Sequence, residues 1–209
     1  SKGNKSMFIG TTNKLDVNRT VLVETHYLDR FDPKYLSNDC FSLIIIKNGS
    51  ITARIKNTDC HIPAPAVLCL DEIKTEKILS NSSSDDRIIK FDPQFLNVNM
   101  RISTIRSSHY EHLCQQHAFF QLSPFLTDDV SKICIRLSKD ALEKVEHSFD
   151  NLTKNLEEQK DWYWSCRARS YFIDIINILE RIYHNFYIEE PYDACVKVAI
   201  SSEFKMLLT

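Results

Sequence analysis

Phe41-Ser42-Leu43-Ile44-Ile45-Ile46-Lys47-Asn48-Gly49-Ser50-Ile51-Thr52-Ala53-Arg54-Ile55-Lys56 sets two β-branched runs on either side of an Asn-Gly pair. Both central residues of the tightest hairpin turns take positive φ, which Asn and Gly tolerate, so this spacing predicts an antiparallel hairpin turning at Lys47-Asn48-Gly49-Ser50. In its second strand Ile51, Ala53 and Ile55 alternate with Thr52, Arg54 and Lys56, the pattern of a strand with one wet face. Further β-rich runs lie at 20–28, 66–71, 73–79 and 87–91, and the polar stretch 80–86 reads as the loop between the last two. Short runs at this spacing predict antiparallel sheets.

Downstream the pattern changes. Asp92-Pro93-Gln94-Phe95-Leu96 places an Asp cap before a proline, the arrangement that opens a short helical turn. Ser108-His109-Tyr110-Glu111 has capping-box spacing, and 133–137 reads as one more strand. After Ser138 the period becomes helical: Leu142, Val145, Phe149, Leu152 and Leu156 form one apolar stripe. A polar turn at 157–161 follows, and Asp161 caps a second predicted helix over 162–187. In that helix Tyr171, Phe172, Ile173, Ile175, Ile176, Ile178, Leu179, Ile182 and Tyr183 cover more than one face, so it must be buried on two or more sides.

A helical pair at the edge of a small domain leaves apolar surface over, and a helix of about seven turns could supply the ~800 Å² per partner that a stable interface buries. Phe172, Ile175, Ile176, Leu179, Ile182 and Tyr183 are accordingly expected to form a homodimer interface; the alternative is that one chain covers them itself. Glu189-Glu190-Pro191 ends the helix, since proline cannot continue the hydrogen-bond ladder. Residues 192–200 read as a linker, and 202–209 as a helical pattern that stops without cap or breaker.

The chain has 209 residues, 43% hydrophobic and 11% aromatic, enough to bury a substantial core. A net charge of −2 and a pI of about 6.4 argue against a phosphate-gripping surface on this stretch. Seven cysteines without a CxxC pair, several inside apolar runs, suit a reducing compartment and the expectation of a cytoplasmic protein. No apolar run approaches the roughly 20 residues that span a bilayer, so no membrane partner is expected.

The order of parts resembles the AraC/XylS family of bacterial transcription regulators. The likeness is carried by the barrel-like strand series, Phe91-Asp92-Pro93-Gln94-Phe95-Leu96-Asn97 closing it, Phe119-Phe120-Gln121-Leu122, a strand ending in Leu137-Ser138, and the helix from Asp161-Trp162 to Tyr183, over roughly residues 20–187. The resemblance implies a mainly β plus α fold. It has a cupin-like antiparallel β-barrel for an effector over 1–137 and a helical dimerisation hairpin over 138–188. Residues 189–209 are then the linker and start of a truncated helix-turn-helix domain. DNA would be bound only through that missing C-terminal domain.

Chemistry points the same way. Enzymatic cupins hold a metal with a His-x-His pair, and none occurs here; on a helix His109 and His112 would share a face while Cys114 and His117 point elsewhere, and on a strand the adjacent Cys60 and His61 would point to opposite faces. No nucleophile elbow, P-loop or dinucleotide fingerprint is present. No catalytic residue, metal or cofactor is expected, although a metal-dependent cupin enzyme acting on a small acid or sugar is the competing reading. A constitutive dimerisation module that binds nothing is the third. For a small-molecule effector inside a barrel, the candidate contacts are the polar residues within apolar strands: Glu24 and His26, which share a face, and Arg54.

Overall fold

The computed structural model describes residues 7–74, 76–107 and 118–187. The strands are β1 (Thr11–Thr12), β2 (Thr20–Val21), β3 (Val23–Leu28), β4 (Phe41–Ile46), β5 (Ser50–Ile55), β6 (Thr58–Pro63), β7 (Ala66–Leu70), β8 (Glu76–Asn81), β9 (Asp86–Phe91) and β10 (Cys134–Arg136). The helices are α1 (Ile102–Ser107), α2 (Ser123–Leu126), α3 (Lys139–Glu158) and α4 (Trp164–Tyr187).

A five-stranded antiparallel sheet in the order β10-β7-β4-β9-β3 forms the middle layer. Its strands β4, β7 and β9 are buried along their whole length, as strands covered on both faces must be. Alternate residues serve two cores. Phe41, Leu43, Ile45, Val67, Cys69, Ile89 and Phe91 pack against the helices. Ile44, Ile46, Ala66, Leu68, Leu70 and Ile88 face Ile51, Ala53, Ile55 and Ile62 of a second, three-stranded sheet, β6-β5-β8. The molecule is thus a β plus α fold in which two antiparallel sheets face one another, backed by a helical hairpin.

The predicted β4–β5 hairpin does not form. β4 is paired on both sides, with β7 and β9, so no edge is left for β5, which pairs with β6 and β8 instead. The Asn48-Gly49 link crosses from one sheet to the other, and Gly49 (φ +70°) is required there because a Cβ would lie 2.1 Å from the Ser82 carbonyl oxygen. The true two-residue hairpin joins β5 to β6, a strand absent from the sequence reading; Lys56 and Asn57 both take positive φ in its turn. β6 was hidden because it is an edge strand, polar except where Cys60 and Ile62 turn inward.

The helical reading is close. Ser138 caps α3 through its hydroxyl, which accepts from Ala141 N at 3.1 Å, and Val145, Phe149, Leu152 and Leu156 are buried. Asp161 accepts from Tyr163 N at 2.8 Å just ahead of α4. Asp92 accepts from Gln94 N at 2.8 Å and opens the expected turn, a 3-10 turn over Pro93–Phe95. The helix expected near Ser108 and the linker after Tyr187 lie outside the described residues. No described helix is long and apolar enough to cross a membrane.

Candidate functional site

Period-two alternation puts Glu24 and His26 of β3 and Lys90 of β9 on the sheet face that looks toward the second sheet, at one end of the β3–β9 ladder where Glu24 lies opposite Lys90. Ser42, opposite Lys90 on the other side, and Cys40 are buried beside them. Glu24 Oε2 lies 3.3 Å from His26 Nε2 and 3.7 Å from Lys90 Nζ. The Lys90 side chain is only 3% exposed and that of Glu24 16%. A buried cation of this kind needs an anionic neighbour, and Glu24 is one.

The other carboxylate oxygen of Glu24 holds the N-terminal arm. Oε1 accepts from Ile9 N at 2.9 Å and from Gly10 N at 2.7 Å. Gly10 takes φ +80°, and a Cβ there would meet the Val21 carbonyl oxygen at 2.6 Å, so the close approach depends on glycine. Burial opposes ionisation of Glu24, but the His26 hydrogen bond, the two arm N–H groups and the Lys90 charge together outweigh it and bring the carboxyl from 4.5 to about 2. Burial pushes the Cys40 thiol up to about 12, which leaves it a small packing group rather than a nucleophile.

Beyond Gly10 the arm runs to the turn between α3 and α4. Gln159, the left-handed C-cap of α3 (φ +45°), accepts from Lys14 N at 2.7 Å and donates to the Thr12 carbonyl at 3.0 Å. Trp164 Nε1 donates to Asn13 Oδ1 at 3.4 Å. The opposite face of β3 meets the same hairpin: Thr153 donates to Thr25 Oγ1 at 2.9 Å and Tyr27 to Asp150 at 2.9 Å. Arg87, its guanidinium 5.1 Å from the Tyr27 ring centre and 3.6 Å from Glu146, adds charge to this junction. The polar cluster is therefore tied to the helical hairpin along two routes, one through the arm and one through β3.

Arg54 is not part of this cluster. On β5 the inward residues are Ile51, Ala53 and Ile55, so Arg54 points to solvent, 45% exposed, and forms a bidentate pair with Asp59 at 2.5 and 2.8 Å. The site contains instead Lys90 and the arm residues Ile9 and Gly10. Lys90 was legible by the rule that singled out Glu24, a charge inside an apolar run. The arm was not, because its contribution is two backbone N–H groups.

The residues assigned to dimerisation are placed differently as well. Phe172, Ile175, Ile176, Leu179 and Tyr183 are buried within the chain, in the core between the hairpin and the five-stranded sheet, and Ile182 is half-buried at its border. The apolar surplus of α4 is taken up by the sheet, which the helix crosses with one face while meeting α3 with another. On the outer side of the hairpin a groove of about 520 Å³ runs between α3 and α4, lined by Asp140, Glu143, His147, Asp174, Asn177 and Arg181 among others. Among the described residues no three His, Cys, Asp or Glu side chains converge as metal ligands would; His109, His112, Cys114 and His117 lie outside those residues.

No family model matches the chain, and no curated protein matches it. Among solved structures the chain is similar to the apo form of a point variant of ToxT from Vibrio cholerae strain SCE256, with 16% identity and a TM-score of 0.41. The similarity covers 86% of this chain and 63% of that one, so the chain spans less than two thirds of its length.

Proposed function

We propose that this chain is the effector-sensing and dimerisation part of an AraC-type transcription regulator, a binding module and not an enzyme, acting in the cytoplasm on DNA-binding domains held together in a homodimer. The observation that carries the reading is the double role of Glu24. One carboxylate oxygen faces Lys90 and His26 on the barrel side, while the other holds the arm whose next residues grip the turn of the helical hairpin. A small molecule that competes for Glu24 or Lys90 changes the arm's anchor, and the arm's other end rests on the helices. Binding shifts the equilibrium by its differential affinity for the arm-held and arm-released states. Dimerisation is assigned to the outer side of the hairpin, since its inner side is filled by the sheet.

Hydrogen exchange tests this directly. The chain is screened against a library of sugars, organic acids and amino acids, and exchange is followed at Ile9 and Gly10. A ligand of this site changes protection of those amides and the emission of Trp164 together. Ligands that bind tightly but alter neither would rule out arm-coupled sensing. Sedimentation of the chain at micromolar concentration tests the homodimer separately, and a strict monomer would remove that half of the proposal.

A further inference from the structure

At the far end of the β3–β9 ladder from Glu24, Leu28 lies opposite Asp86. Asp86 is fully buried, and among the described residues its Oδ1 has no hydrogen-bond partner. Its Oδ2 takes part in a closed ring. Phe31 N donates to Oδ2 at 2.7 Å, the Phe31 carbonyl accepts from Asn81 Nδ2 at 2.8 Å, and Asn81 Oδ1 accepts from Ser83 N at 2.9 Å. The Ser83 hydroxyl, itself buried, closes the ring: its oxygen lies 2.6 Å from Asn81 Oδ1 and 2.5 Å from Asp86 Oδ2.

Counting hydrogens decides the ring's protonation. The Asn81 amide is oriented by two backbone groups, since its nitrogen must meet the Phe31 carbonyl and its oxygen the Ser83 N–H. Ser83 therefore sits between two acceptor oxygens with one hydrogen to give. Were Asp86 ionised, one of the two short O···O contacts would set lone pair against lone pair. A hydrogen on Asp86 Oδ2 that points to Ser83 Oγ, with the Ser83 hydrogen passed on to Asn81, satisfies both.

We propose that Asp86 is a proton-binding site. In the closed form the folded chain carries a proton on this carboxyl, and its loss opens the clasp that ties the segment after β3 to the β8–β9 turn. The clasp goes beyond effector sensing and does not depend on it. The surrounding charges do not replace the proton. Asp85, just ahead of β9, favours protonation and Arg87, on β9, opposes it, but the Arg87 guanidinium lies on the helix side and Asp85 is paired with Lys47 at 2.9 Å. From the segment after β3, Asp29 and Arg30 are exposed and Asp32 caps its own 3-10 turn. Desolvation works in the same direction as the hydrogen count and raises the Asp86 carboxyl above the ordinary aspartate range.

The test is a pH titration of side-chain carboxyl carbons by NMR on the full chain, with Asp86 assigned by its loss in Asp86→Asn. The Phe31 amide proton, bonded to the same oxygen, reports the titration without any substitution should that variant fail to fold. Asp86 is expected to titrate above the other aspartates. Asn81→Ala frees the Ser83 hydrogen for the carboxylate and is expected to lower the midpoint by roughly one pH unit. Titration with the exposed aspartates, or a midpoint unmoved in Asn81→Ala, would overturn the proposal.

Discussion

Glu24 and Arg54 are both charged residues in apolar strands, and one alternation rule separates them. Glu24 shares its sheet face with Lys90, whereas Arg54 shares the outer face of β5 with Thr52. Their substitutions should behave accordingly. The folded-state carboxyl of Glu24 is depressed, so its contribution to stability is present above the ordinary 4.5 and lost as pH falls toward about 2. Glu24→Gln should therefore flatten the acid limb of the melting temperature against pH and accelerate exchange of the Ile9 and Gly10 amides; an unchanged acid limb would mean that the arm is held by other contacts. Arg54→Ala removes one exposed pair and should leave both the melting temperature and effector binding unchanged, since surface pairs contribute little.

The helices show how an element's composition states how much of it is buried but not by what. α4 is too apolar for a single wet-sided packing, and its surplus is met by the five-stranded sheet, with Phe172 4.7 Å from Phe91 and 5.1 Å from Phe95 between ring centres. Phe172→Ala should accordingly cost about 3–5 kcal/mol of folding stability, read by denaturant unfolding. A variant that kept its stability and only dissociated would return Phe172 to an intermolecular interface. The α3–α4 turn is held by Gln159, whose side chain bonds arm backbone on both sides. Gln159→Ala loses these bonds while remaining in a left-handed conformation, and should cost about 1–3 kcal/mol and loosen the arm, measured by thermal melting and by exchange at Lys14.

Across the fold, the crossing at Gly49 decides which strands become neighbours. Its link passes so close to Ser82 that Gly49→Ala combines a clash with an unfavourable φ, and a loss of more than about 2 kcal/mol is expected in equilibrium unfolding. Local signals established much of the rest. Alternation identified the inward residues of β5, caps at Asp92 and Asp161 located two helical turns, and the apolar stripe of α3 named its buried face, because each depends on residues within a few positions of one another. Strand partnership was not legible in the same way. An Asn-Gly pair specifies a bend, while the identity of the paired strand depends on which edges remain free, and β4 has none. The candidate site followed the same division: Glu24 and His26 stand two apart on one strand and were found together. Lys90 and the arm join them through contacts 14 to 66 residues away in the chain, which arise only when the sheet and the arm have packed.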